Sequence, residues 1–230
     1  MNAASYELIM KDGILIINKP QGLTSHDVVV HIRKVLHIKQ VGHAGTLDPL
    51  ATGVLIIFVG KATKLFNRFL EFNKEYIATL TLGEVTDSGD SEGKVLSVLP
   101  VPAINEYLIN LTFKEFVGEI EQVPPMVSAL RYRGKRLYQL ARRGIEVARE
   151  PRRITIEALE LRKFNSPDIQ FYVKCSKGTY IRQLANDIAL RLGCGGHISQ
   201  IERVSVGPFN IKDAISLDKV DESYIRNWQG

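Results

Sequence analysis

The sequence predicts an α+β fold built on a mostly antiparallel, mixed sheet, and three observations carry that prediction. Two segments, 74–82 and 154–164, alternate apolar and polar residues, the period of half-buried strands. Residues 53–59 form an almost purely apolar run of strand length, as expected of a strand buried on both faces. The helical stretches are few and irregularly placed among the strands, unlike the regular alternation that gives a parallel sheet.

In chain order, residues 13–20 read as a short buried strand stopped by Pro20. Thr24 and Asp27, three apart, resemble a capping box that opens a helix to about residue 36. Residues 42–53 have neither period and are punctuated by Gly and Pro, so they read as an ordered loop. Residues 61–70 look helical, with Leu65, Phe69 and Leu70 on one side. In 74–82, Tyr76, Ala78, Leu80 and Leu82 share a face. The polar tract 86–93 reads as a loop, because its three acidic residues lack the ligand set of a calcium loop. A helix over 103–113 and a brief strand over 119–122 precede Pro124-Pro125. Strands at 154–164 (with a kink) and 169–175, a helix over 179–192 closed by Gly193, and a strand at 197–206 complete the series.

The chain of 230 residues suits one large domain with a real core. Its 45% hydrophobic and 24% charged composition is that of a globular protein. The longest apolar runs are far too short for a bilayer, and no signal-peptide pattern opens the chain. Two cysteines, Cys175 and Cys194, have no metal spacing and fit a reduced cytoplasmic chain. There is no Walker loop, dinucleotide fingerprint or zinc pattern, so neither cofactor nor metal is expected, and no membrane partner. The net charge of +5 permits a polyanionic partner without requiring one. The excess is local. Between 131 and 153, Arg131, Arg133, Lys135, Arg136, Arg142, Arg143, Arg149, Arg152 and Arg153 face only Glu146 and Glu150. Leu137, Leu140 and Ala141 make a narrow apolar stripe there, so part of the segment should be a short basic helix that meets a polyanion.

The loop Gly42-His43-Ala44-Gly45-Thr46-Leu47-Asp48-Pro49-Leu50-Ala51-Thr52-Gly53 presents one carboxylate, Asp48, between apolar flanks. Pro49 pushes Asp48 toward extended backbone, and a small loop presenting one carboxylate can hold a nucleophile or general base. Asp before Pro also simply starts turns, and composition alone favours that reading.

This loop resembles the catalytic motif of the TruB pseudouridine synthases, and the resemblance runs from about residue 13 to about 209. It includes the Asn-Lys-Pro-x-Gly-x-Thr-Ser pattern over 18–25, Lys-Gly-Thr-Tyr-Ile-Arg over 177–182, and Gly207-Pro208-Phe209. It implies the pseudouridine synthase fold, with a catalytic domain over 1–210, a thumb-like RNA-binding segment over about 124–153, and a short tail over 211–230. It implies isomerisation of uridine to pseudouridine in the tRNA T-arm (uridine 55 of the TΨC loop), by a monomer needing no cofactor. Asp48 would be the catalytic carboxylate, attacking the ribose C1′ or the base C6, or acting as a base at the ribose. Arg182 would be its partner, Tyr76 would stack on the flipped base and help remove the C5 proton, and Tyr180 and Ile201 would line the pocket. His43 would meet the T-loop bases. Lys19 and the thumb residues Arg131, Arg133, Lys135, Arg136, Arg142 and Arg143 would contact RNA.

The sequence departs from the family's pattern in places. Val127 stands where tyrosine is usual, Ile201 for leucine, Asn186 for aspartate and Glu202 for arginine. The C-terminal PUA domain common in bacterial members is absent or truncated, since the twenty residues after 210 are too few for a separate core. Two other readings compete: an RNA-folding chaperone on the same scaffold, and a carboxylate-dependent N-glycosidase that releases uracil.

Overall fold

The computed structural model describes residues 12–228. They form two compact units: one takes in the chain up to Phe72 and from Gly207 onward, the other runs from Asn73 to Val206.

In the first unit, β1 (Gly13–Lys19) precedes α1 (Ser25–Leu36), β2 (Val41–Ala44) and β3 (Thr52–Val59). The predicted capping box is present: Thr24 accepts from the Asp27 amide, and the Asp27 carboxylate accepts from the Thr24 amide at 2.8 Å. The Thr24 hydroxyl also donates to that carboxylate, and these bonds hold the Asp27 pKa below the usual carboxylate value. Val28, Val29, Ile32 and Leu36 give α1 its buried face. β3 pairs antiparallel with both β1 and β2, and the run 53–59 is buried throughout, as the unbroken apolar sequence predicts. β2 overlaps the start of the predicted loop, 42–53; four residues are too few to show a period. The helix expected over 61–70 divides into a 3₁₀ turn, Gly60–Leu65, and one short turn of α-helix, α2 (Phe66–Leu70), neither with a side-chain cap.

The second unit carries β4 (Lys74–Leu82), the hairpin β5 (Glu84–Thr86) and β6 (Val95–Val98), α3 (Glu106–Phe116) and β7 (Gly118–Gln122). The small hairpin β8 (Arg131–Tyr132) and β9 (Lys135–Arg136), with α4 (Leu137–Ala141), follow. The unit closes with β10 (Arg152–Asn165), β11 (Asp168–Cys175), α5 (Ile181–Arg191) and β12 (Gly196–Val206). Its sheet has the order β12-β4-β11-β10-β7, every pair antiparallel. The expected kink in β10 is two register shifts against β11, at 156/158 and 161/163. α3 starts three residues later than predicted, because Asn105 caps it by accepting from the Leu108 amide at 2.9 Å. Phe113 of α3 packs edge-on to Phe171 of β11, with ring centroids 6.0 Å apart.

The chain then returns to the first unit. β13 (Phe209–Asn210) and β14 (Ile215–Ser216) follow, and β14 pairs parallel with β1. Ile14 and Arg226 exchange two backbone hydrogen bonds of 2.9 Å. The predicted tail is thus built into the unit. Phe69, fully buried, lies within 5.0 to 5.6 Å (ring centroids) of Phe58, Phe72, Phe209 and Trp228. Phe69→Ala is expected to destabilise the protein by about 3–5 kcal/mol, the cost of emptying a tightly packed aromatic site. Urea denaturation checks this, and a loss under about 1 kcal/mol would show that the cluster collapses to fill the gap. Among the described residues, no helix is long and apolar enough to cross a membrane.

Candidate active site

Asp48 sits in the turn between β2 and β3, and the structure pins that turn on both sides of it. Before it, the buried Ser25 hydroxyl donates to the Leu47 carbonyl (3.1 Å) and accepts from the Leu47 amide (2.8 Å). After it, the Pro49 carbonyl accepts from the Gly22 amide at 2.9 Å and from the Lys19 ammonium at 3.3 Å. Leu47, Leu50 and Ala51 are buried, so the loop's apolar residues point into the core while Asp48 stays half-buried. Gly45, at φ 71°, takes the left-handed turn that ends β2, a conformation costly for a residue with a Cβ. A carboxylate on so constrained a loop is pre-oriented, as a catalytic group must be.

Lys19 corrects an expectation. Its side chain is fully buried, and its ammonium donates to the carbonyls of Pro20 (2.9 Å) and Leu23 (2.6 Å) as well as Pro49. Three carbonyls satisfy the three donors of an ammonium. The residue fastens the Asn-Lys-Pro segment to the Asp48 loop and does not present a charge to RNA. The pattern over 18–25 is therefore scaffold for Asp48, through Lys19, Gly22 and Ser25. His43, on β2 five residues before Asp48, is half-buried.

The other predicted site residues belong to the second unit. Tyr76 is on the buried face of β4, 8% exposed. Ile201 of β12 pairs with Ala78, the next residue on that face of β4. Tyr180 stands at the N-terminus of α5. Its backbone is clamped by the buried Gln122, which accepts from the Tyr180 amide (2.8 Å) and donates to its carbonyl (3.1 Å). Arg182 follows in the first turn of α5, 5% exposed. Its guanidinium donates to the Ser88 carbonyl at 2.5 Å and the Val127 carbonyl at 2.8 Å, and lies 3.6 Å from the Asp90 carboxylate.

Asp90, Ser88 and Gln122 are contributions that sequence reasoning missed. Asp90 is 4% exposed, and its carboxylate also accepts from the Ser88 hydroxyl (2.6 Å) and the Glu92 amide (3.2 Å). The polar tract 86–93 thus serves to hold an arginine. Among the described residues, no group of three His, Cys, Asp or Glu side chains is placed to hold a metal ion. Cys175 is no competing nucleophile: burial pushes its thiol up to about 12, far from the reactive thiolate range.

The basic segment forms a small thumb. Arg133 and Gly134, at φ 47° and 84°, are the two central residues of its β8–β9 hairpin, where a two-residue turn demands left-handed backbone. Leu137 and Leu140 bury the inner side of α4, as the apolar stripe predicts. Arg131, Arg133, Lys135, Arg136, Arg142 and Arg143 are all exposed. Lys135, Arg142 and Arg143, with Gln139 and Leu140, line an open cleft of about 350 Å³. The guanidinium groups of Arg142 and Arg136 lie 5.5 and 6.0 Å from the Tyr138 ring centroid, within cation–π range.

The second unit thus carries a five-stranded antiparallel sheet and an exposed basic hairpin and helix, and the first unit carries the pinned Asp48 turn. Residues 33–181 match the TruB family pseudouridylate synthase N-terminal domain, and residues 182–229 match the tRNA pseudouridylate synthase B C-terminal domain. The chain belongs to the TruB family, and it is an isomerase of the pseudouridine synthase class. Among its relatives, the tRNA pseudouridine synthase B of Clostridium kluyveri is 50% identical over 93% of this chain and 74% of its own length. That of Opitutus terrae is 46% identical over 91% of this chain and 87% of its own. A chain in a crystal structure of a Cbf5–Nop10–Gar1 complex superposes with a TM-score of 0.71 at 33% identity, over 90% of this chain. This chain spans about half of that one, 52% of its length.

Proposed function

We propose that this chain converts uridine to pseudouridine in the T-arm of tRNA, at uridine 55, with Asp48 as the reacting carboxylate. The observation that carries the assignment is the Asp48 loop, held at Leu47 by Ser25 and at Pro49 by Gly22 and Lys19. The reaction breaks the bond between C1′ and N1, turns the uracil, and joins C5 to C1′; C5 loses its proton and N1 gains one. Oxidation state and atom count are unchanged, so no redox partner or energy source enters the balance.

In this reading Arg182 is the cationic partner of Asp48 in the reaction. Tyr76 stacks on the flipped uracil and assists loss of the C5 proton, with Tyr180 and Ile201 closing round it and His43 meeting the loop left behind. Flipping costs a few kcal/mol, which phosphate contacts along the thumb, from Arg131 to Arg143, help to offset. Two buried free thiols, Cys175 and Cys194, fit the reducing cytoplasm in which such an enzyme would work. The names of the relatives, tRNA pseudouridine synthase B, support the substrate.

The test is incubation with unmodified tRNA and with a T-arm stem-loop, followed by mapping of pseudouridine at single-nucleotide resolution. Pseudouridine is expected at position 55 of both, with kcat/KM for the stem-loop within about tenfold of the whole tRNA, the equivalent of about 1.4 kcal/mol in lost remote contacts. Tight binding with no product would instead support the chaperone reading, and free uracil the glycosidase.

A further inference from the structure

Within the second unit, Arg182 and α4 are both hydrogen-bonded to the short backbone segment 127–130. The Arg182 guanidinium donates to the carbonyl of Val127 at 2.8 Å. The next residue, Ser128, accepts through its own carbonyl from the Tyr138 amide at 3.1 Å. Leu130 accepts from the Leu137 amide at 2.8 Å. Residues 128–130 are thereby tied to the start of α4, the helix that gives Gln139 and Leu140 to the basic cleft and leads directly into Arg142 and Arg143. Any shift of α4 toward a phosphate must be transmitted to Ser128, and through it to the carbonyl that fixes one arm of the guanidinium.

A second observation falls on the same residue. Ser128 is 6% exposed, and its hydroxyl oxygen, fully buried, has no hydrogen-bond partner among the described residues. Buried hydroxyls nearly always have partners, and one without is expected to gain one in another state of the molecule or to be replaced without loss. Ser128 lies one residue from the Val127 contact to Arg182 and is hydrogen-bonded through its carbonyl to α4, and we infer the first case from that position.

We propose that Ser128 is a positioning residue: binding of an RNA phosphate in the thumb cleft moves the 127–130 segment, gives the Ser128 hydroxyl its partner, and sets the Val127 carbonyl that orients Arg182. The thumb then governs the rate of reaction as well as the affinity for RNA. The inference rests on the proposed pseudouridine synthesis, because it reads Arg182 as part of that chemistry.

The experiment uses the full chain, unmodified tRNA, and single-turnover conditions with enzyme in saturating excess, which removes product release from the measurement. Ser128→Ala is expected to melt at or above the parent temperature and to bind tRNA as well as the parent does, while the single-turnover rate falls at least tenfold. Ser128→Thr, which keeps the hydroxyl, is expected to restore most of that rate. A rate within twofold of the parent for Ser128→Ala would overturn the proposal. So would a matched fall in melting temperature and rate, which marks a merely structural hydroxyl. The surface variant Arg142→Gln/Arg143→Gln gives an independent arm. Its rate should stay depressed when enzyme is raised to saturation; full recovery at saturation would mean the thumb only binds, and would also overturn the idea. Absence of pseudouridine from the parent enzyme itself would count against the proposed function and is read separately.

Discussion

Asp48→Asn is expected to lower the single-turnover rate by about a thousandfold or more, the scale on which loss of an essential nucleophile or base is felt. The substitution removes charge and keeps shape. The contacts that hold the loop lie at Leu47 and Pro49, and the Ala51 amide bonds the Asp48 backbone carbonyl at 3.1 Å, so the turn should form unchanged. Affinity for tRNA should therefore stay within about threefold, less than 1 kcal/mol. A rate within tenfold of the parent, with correctly placed product, would remove Asp48 from the chemistry.

The second large effect concerns Arg182. Arg182→Met is expected to abolish turnover and to cost about 3–5 kcal/mol of stability, because Asp90 would be left as an uncompensated buried carboxylate. Both side chains of this pair are only 6% exposed, so little solvent screening relieves it. Adding Asp90→Asn to that variant neutralises the orphan while retaining acceptors for the Ser88 hydroxyl and the Glu92 amide. The double variant should regain most of the stability and none of the rate. Arg182→Lys should also be inactive, since one ammonium cannot reproduce the fork that spans Ser88 and Val127. Recovery of rate along with stability in the double variant would show that Arg182 is scaffold alone. Denaturation curves and single-turnover assays together decide it.

What could be read in advance followed from local physics. β4 was legible because its burial alternates residue by residue from Lys74 to Leu82, and α1 because Thr24 and Asp27 announce its cap. The hairpin β5–β6 was not, since every residue of β6 is exposed and no alternation exists to be seen. Asp48 and Arg182 came from motifs. Their supports did not, because each is a long-range event: Ser88 lies 94 residues from Arg182, and Pro49 lies 30 from Lys19. Lys19 was misread for the same reason. A lysine at a strand end looks solvated until distant carbonyls close around it. The Asn105 cap, in contrast, was visible in the sequence and would have corrected the start of α3.

The order in which the ribosome makes this chain has a bearing on when it can become active. The second unit is one uninterrupted stretch, 73–206, and all its strands exist before residue 207 is synthesised. The first unit, which holds Asp48, is made in two instalments. Its β1 waits for β14, Ile14 waits for Arg226, and Phe69 waits for Phe209 and Trp228. The carboxylate is thus encoded before the second unit, but its scaffold is completed after it. A nascent chain whose second unit is complete still lacks the finished support for Asp48 until residues 209–228 have emerged.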